Sequence, residues 1–393
     1  MKILFQSRVD LYNPCGGDTL QMENTKLAIE KLNPSIKIDI RPEVKVKDIN
    51  SYDIVHLFNL DWVSETYIQA KWAKSHNIPI VLSAIHHSED EVKIFEKYAR
   101  YDVRRIYNAI FSNQSLRDFG KNIYRSFFNY KKVSSTIVQG LIGIRKEQKE
   151  ILKMCDVVLV QTEKEAKDIA KDFKFKKFKW EKVVNGVNTD IFGKTSASHF
   201  DKLFKEVFDE DLSNFKVILN VGRIEPRKNQ LNLIKAFENL KNDELLNNFG
   251  LIFIGAYTER SYEYVYRFKK AIKNNSNIYH FGAVSPEIVA SAMNRDGVYV
   301  HPSWFETTGL VCIEAAMAGM QLVATGDRVK EYLGDNAYYC DPKDVKSIED
   351  AILKSVKSPK NISRLQKDIE DKYTWNKTAK QTISVYEKIL EKH

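Results

Sequence analysis

The run from Arg295 to Glu331 limits what this chain can become more than any other stretch. Val298-Tyr-Val-His301 is rich in β-formers and stops at Pro302, which has no N–H to give to a sheet ladder. A loop holding Glu306, Thr307 and Thr308 follows. From Leu310 to Ala318 the apolar residues return at helical spacing, with Leu310, Ile313 and Met317 on one line and Val311, Ala315 and Ala318 on another. Gly319 suits a helix C-terminus, and Gln321-Leu-Val-Ala-Thr325 is the next strand. Strand, loop, helix, strand is one βαβ unit. Its loop falls at the carboxyl end of the first strand, where open α/β sheets bind ligands.

Two carboxylates mark that unit. Glu306 lies in the loop and Glu314 within the helix, 314 − 306 = 8 residues apart. Thr308, Gly309 and Leu310 occupy the helix start, where free N–H groups and the positive dipole end receive phosphate oxygens. Gly309 lets the backbone come close to such a ligand. Carboxylates on either side of an anion site suit a sugar nucleotide, which runs sugar, diphosphate, ribose. The competing reading makes Glu306 a cap and Glu314 a solvated charge. The apolar residues around Glu314 argue against solvation, because burying an unpaired carboxylate is costly.

Glu-x7-Glu, with His301-Pro-Ser before it and Gly319 after it, resembles the signature of the retaining glycosyltransferases of family GT4. That resemblance implies an α/β chain of GT-B fold: two Rossmann-like, doubly wound parallel-sheet domains facing a central cleft. It is strongest over 216–342 and weakest over 91–150. Lys216-Val-Ile-Leu-Asn-Val-Gly222 reads as the first strand of the second domain. Arg223 and Lys228 after it are similar to the family's Gly-Arg-x4-Lys segment, whose cations bind the donor diphosphate. A guanidinium and an ammonium so spaced can neutralise charge on a departing diphosphate. Arg227, between them, is expected to face solvent.

The resemblance also assigns roles elsewhere. Gly16 and Gly17, between the first strand and a helix from Thr19 to Lys31 capped by Asp18, would contact donor phosphate or acceptor. His86 or His87, delivered by the strand Ile78–Ile85, would line the donor sugar; His86 is preferred because it directly ends that strand. Glu306 would hold sugar hydroxyls and support positive charge at the anomeric carbon, and Glu314 would accept hydrogen bonds from the ribose. Phe281 and Gly282 would meet the base through their backbone. In two places the chain departs from the family pattern. Thr307-Thr308 stands where Pro-Phe or Ser-Phe is usual, and Gly326-Asp327-Arg328 comes where a glycine pair is usual before the glutamate.

The 393 residues suit two domains. The resemblance places them at 1–190, joined by the terminal helix 376–393, and at 191–375. Met1–Gln6 is too short for a signal peptide and reads as a buried strand, and no long uncharged apolar run spans a membrane. The four cysteines, Cys15, Cys155, Cys312 and Cys340, have no metal or redox spacing and read as reduced thiols of a cytoplasmic protein. Asp209-Glu210-Asp211 matches a metal–diphosphate pattern of another fold but reads as solvated charge. No metal and no cofactor is expected beyond the donor, a UDP- or GDP-sugar.

A net charge of +9 favours anionic partners. Residues 98–132 mix aromatics with bases. They read either as a contact with an anionic membrane surface, placing the protein on the inner face of the plasma membrane, or as helices packed on the sheet with snorkelling bases. No nucleic-acid module is present in the sequence. The function expected is sugar transfer to a glycan or lipid-linked acceptor in bacterial surface polysaccharide synthesis (capsule, lipopolysaccharide or exopolysaccharide). A sugar-nucleotide epimerase of the same fold and a non-enzymatic anion-binding protein are the alternatives.

Overall fold

The structure, a computed structural model, describes residues 1–12, 16–99, 143–212 and 215–393. The Asn13-Pro14-Cys15 turn and the basic aromatic run from residue 100 onward lie outside them. The described residues form two compact units: 1–88 with 143–186 and 375–393, and 89–99 with 187–374.

The first unit is built on six parallel strands: β1 (Lys2–Gln6), β2 (Lys37–Ile40), β3 (Ile54–Phe58), β4 (Ile80–Ser83), β5 (Val157–Val160) and β6 (Trp180–Lys182). Their order is β2-β1-β3-β4-β5-β6. Ile3, Leu4 and Phe5 are wholly buried, as a parallel strand covered on both faces must be. The two-residue period splits them. Ile3 and Phe5 pack with Ile54, Phe58 and Val81, while Leu4 packs with Val55, Leu57 and Leu82 on the other face. The first face is closed by the terminal helix Trp375–Leu390, through Ala379, Ile383, Tyr386 and Ile389. These recur at helical spacing and make one apolar stripe. Tyr386 also reaches inward, its hydroxyl 2.6 Å from His56 Nδ1, while His56 Nε2 meets Ser83 Oγ at 2.9 Å.

The second unit repeats the plan: β7 (Lys216–Val221), β8 (Phe249–Ile254), β9 (Ile278–Phe281), β10 (Gly297–His301), β11 (Gln321–Ala324) and β12 (Tyr338–Tyr339), again all parallel. The order is β12-β11-β10-β7-β8-β9. Before the first of these strands lies the helix Ser198–Phe208. Phe200 and Phe204 are buried one turn apart and pack with Phe208 against Tyr279 and Phe281 of the edge strand β9.

Some boundaries differ from the sequence reading. The first helix runs Gly17–Leu32 with Gly16, not Asp18, at its N-cap. Strand β4 ends at Ser83, so His86 sits three residues beyond it, after Ile85 at φ +47°. Apolar residues in a buried loop look like strand residues in a sequence, and here the ladder stops before they do.

Candidate active site

β7 and β10 are neighbours although β8 and β9 lie between them in the chain. The strand order reverses there, and in an open parallel sheet that is where a crevice opens at the carboxyl edge. The loop after β7 holds Gly222–Asn229, and the loop after β10 holds Pro302–Gly309. Two hydrogen bonds stitch them together. The Asn229 side-chain amide donates to Pro302 O at 3.0 Å, and Trp304 N–H donates to Arg227 O at 2.9 Å. Gly255, ending β8, presses on the same turn. A Cβ there would lie 2.1 Å from Gly222 O, a distance no backbone tolerates.

Glu306 is the electrostatic centre of the stitched loops. Lys228 Nζ lies 2.6 Å from its Oε1, and His301 Nε2 lies 3.1 Å from the same oxygen. Arg227 Nη1 lies 3.5 Å from Oε2. The side chain is only 10% exposed. Burial pushes its carboxyl up, but Lys228, Arg227 and the His301 bond outweigh that and hold it well below the usual carboxylate range. Burial pushes His301 down, so it is neutral. A neutral imidazole facing a carboxylate donates from Nε2, which leaves Nδ1 to accept from the Tyr299 hydroxyl at 3.1 Å.

Arg227 corrects the sequence reading. It does not face solvent. Its Nε and Nη2 lie 3.3 and 3.2 Å from Glu225 Oε1, and its guanidinium sits 5.7 Å from the Phe305 ring. Arg223 is the more open cation: its side chain is 38% exposed and its Nη2 is 3.7 Å from Glu225 Oε2. Lys228 lies folded along Gly222, where a Cβ would meet its Cε at 3.5 Å.

The helix Leu310–Met317 begins beside this cluster. Its N-cap, Gly309, has φ +70° and supplies no side-chain cap. A Cβ at Gly309 would strike Val329 Cγ2 at 2.9 Å, so both conformation and space demand glycine. Thr308 is buried immediately before it. Glu314, farther along the helix, is half-buried, and no described side chain forms a salt bridge with it. Desolvation pushes its carboxyl up to about 7. The structure thus brings Glu306, Lys228, Gly222 and the helix start together, with Arg223 at the mouth of the same turn. Phe281 is a core side chain, and its carbonyl accepts from Gly255 N–H at 3.1 Å.

The first unit places its candidates differently. His86 is buried with Nδ1 2.8 Å from Asp61 Oδ1 and Nε2 3.0 Å from Asp172 Oδ2. Burial opposes its charge, yet the two carboxylates raise its pKa to about 10, so it is an imidazolium with both nitrogens engaged. His87 is the more exposed of the pair, its Nδ1 3.1 Å from Asp61 Oδ2. Gly17 is exposed at the first turn of its helix, and Gly16 is partly buried beside Asp18.

Sequence reasoning missed three contributors to the second unit's site: Arg227, His301 as a donor to Glu306, and an aromatic prop. The helix Glu89–Tyr98 packs Phe95 and Tyr98 on Trp304 and Phe305, the two residues before Glu306. Its Val92-x2-Phe95 spacing was the available signal, but nothing in the sequence named its partner.

Two parallel six-stranded sheets, each covered by helices and each with its strand order reversing, make this a GT-B fold, with the polar cluster of the second unit at that reversal. Residues 204–372 match the family described as glycosyl transferases group 1. A spinach (Spinacia oleracea) sucrose-phosphate synthase is 31% identical over 211 residues, which are 49% of this chain and 19% of that protein. The chain therefore spans about one fifth of that longer relative. Among solved structures, the sucrose-phosphate synthase of Thermosynechococcus elongatus superposes with a TM-score of 0.71 at 13% identity, covering 100% of both chains. The Anabaena protein HepE in complex with UDP-glucose gives 0.66 at 15%, covering 98% of this chain and 100% of that one.

Proposed function

We propose that the chain is a retaining, metal-independent glycosyltransferase that takes a sugar from a nucleoside-diphosphate donor. The observation that carries this is the buried Glu306 carboxylate held between Lys228 and Arg227, against a helix start that has no side-chain cap. The UDP-glucose complex of a protein of like fold supports a UDP-sugar as one donor to test.

In this reading Arg223, Lys228 and the amides at Thr308–Leu310 receive the diphosphate and stabilise its charge as it leaves. Lys228, already paired with Glu306, is the cation whose partner changes when the donor binds. Glu306 holds the sugar hydroxyls and balances positive charge at the anomeric carbon. Glu314, which forms a salt bridge with no described side chain, accepts from the ribose hydroxyls. Glu306 is committed to three partners, which favours attack from the face the diphosphate leaves. His86, locked as an imidazolium, cannot serve as a base. It contributes charge and a fixed loop, and His87 is the more open of the two toward a ligand.

The acceptor is a glycan or lipid-linked glycan of bacterial surface polysaccharide synthesis, an assignment that rests on the family resemblance. Among the described residues no helix is long and apolar enough to cross a membrane. The epimerase alternative requires the same diphosphate cations but releases no sugar to an acceptor.

The test is release of nucleoside diphosphate from UDP-, GDP- and ADP-sugars in EDTA, comparing the wild type with Glu306→Ala and Lys228→Ala. One donor should be turned over slowly by the wild type and by neither variant. A wild type that neither binds nor consumes any donor would overturn the assignment.

A further inference from the structure

The ion pairs around Glu306 raise a question that the proposed reaction, on which this inference rests, does not answer. Lys228 makes the shortest contact with Glu306, at 2.6 Å, and Lys228 is also the ammonium that a donor diphosphate would claim. Two phosphate oxygens near Nζ compete with the carboxylate for one compact cation. When the donor enters, Glu306 loses its strongest partner at the moment its position matters. Something must still hold it.

We propose that Arg227 is the positioning residue that keeps the Glu306 carboxylate in place when the diphosphate draws Lys228 away. Four contacts suit it to that task. Its Nη1 faces Glu306 Oε2, the oxygen that Lys228 does not use, at 3.5 Å. Its Nε and Nη2 both face Glu225 Oε1, at 3.3 and 3.2 Å, which fixes the guanidinium plane from the far side. Its backbone carbonyl accepts from Trp304 N–H at 2.9 Å, two residues before Glu306. Its guanidinium lies over the ring of Phe305, the residue next to Glu306. The side chain therefore grips the Glu306 loop by carboxylate and ring, and the backbone of the same residue adds a third hold, while the helix Glu89–Tyr98 packs on Trp304 and Phe305.

Lysine cannot replace it. Three N–H groups of one rigid plane serve two carboxylates here, and an ammonium on a flexible stem reaches one of them at a time. Arg227 does not touch the diphosphate in this scheme, so it acts through Glu306 alone. The other titratable groups around Glu306 are Lys228, His301, Tyr299, Cys312 and Glu314.

The experiment has two arms on Arg227→Met and Arg227→Lys. In the first, calorimetry gives the UDP Kd and steady-state assays give kcat with the donor the wild type consumes. A positioning role leaves the UDP Kd within about threefold and lowers kcat about 10- to 100-fold in Arg227→Met, the scale expected for a misplaced catalytic group. A kcat within threefold of wild type overturns the proposal. So does a UDP Kd that rises in step with the loss of kcat, since that makes Arg227 a diphosphate ligand. In the second arm, infrared titration follows the Glu306 carboxyl, identified by difference from Glu306→Gln, with and without saturating UDP. UDP should raise the Glu306 pKa in Arg227→Met by more than in wild type, with Arg227→Lys between them. Equal shifts in all three overturn it. A wild type that fails to bind UDP refutes the proposed function instead, and a Glu306 titration unchanged by Arg227→Met without nucleotide then still refutes the positioning role.

Discussion

Replacing Lys228 with methionine strands Glu306. The two side chains are 12% and 10% exposed, and their 2.6 Å contact is the shortest of the cluster. Breaking a fully buried ion pair from one side costs about 3–5 kcal/mol, because the remaining charge keeps its desolvation and loses its partner. Here Arg227 and His301 remain, at 3.5 and 3.1 Å, so the loss should be nearer 2–3 kcal/mol, about 5–10 °C for a unit of this size. Differential scanning calorimetry on the intact chain can follow the transition of the second unit. The pH dependence supplies the sign. Glu306 has a depressed pKa in the folded protein, so its stabilisation is complete above the unfolded carboxylate range, about 4.3, and fades as pH falls through the folded value. The gap between wild type and Lys228→Met should be widest near pH 7 and close as Glu306 becomes protonated in the variant. Adding Glu306→Gln to Lys228→Met should recover part of the loss, with a coupling of about 1–3 kcal/mol. A drop of less than 2 °C that is the same at pH 4 and pH 7 would refute the electrostatic account of the cluster.

Two further outcomes concern Glu314 and the buried His56. Glu314, pushed up to about 7, accepts more strongly from the ribose once ionised, so nucleotide affinity should rise as pH climbs from 6 to 8, by up to about tenfold; calorimetric Kd values for Glu314→Gln should be flat over that range. In the first unit, Tyr386→Phe removes the hydroxyl that lies 2.6 Å from His56 Nδ1, and His56, driven down to about 3 by burial, cannot use a charge to compensate. The first unit should lose about 1–3 kcal/mol in thermal melts, the cost of an orphaned buried polar group, while UDP affinity stays unchanged.

Where the residue pattern had a single structural solution, the sequence was a sufficient guide. The βαβ unit around Glu306 is one case: Pro302 ends a ladder, the apolar spacing makes a helix, and Gly309 and Gly319 both take positive φ at its two ends. Where residues act through partners distant in the chain, the sequence was mute. Arg227 reads as a solvent-facing residue in the sequence, and its contact with Glu306 comes from 79 positions away. His86 looked like an open site residue until Asp61 and Asp172 closed on its two nitrogens from 25 and 86 positions away.

By itself, then, the amino-acid sequence determined local matters: strands by their β-branched runs, helices by their apolar period, turns by glycine and proline, and the residue types suited to an anionic sugar donor. Each depends on neighbours within a turn or a pleat, so each is written in consecutive residues. The tertiary structure decided which loops meet. Only the pairing of β10 with β7 sets Glu306 beside Lys228 and Arg227, because two strands separated by a long crossover become adjacent at the reversal of strand order. Charge states follow from that adjacency. Whether a carboxylate is held ionised, as Glu306 is, or pushed toward neutrality, as Glu314 is, depends on the cations and water that folding brings to it or removes.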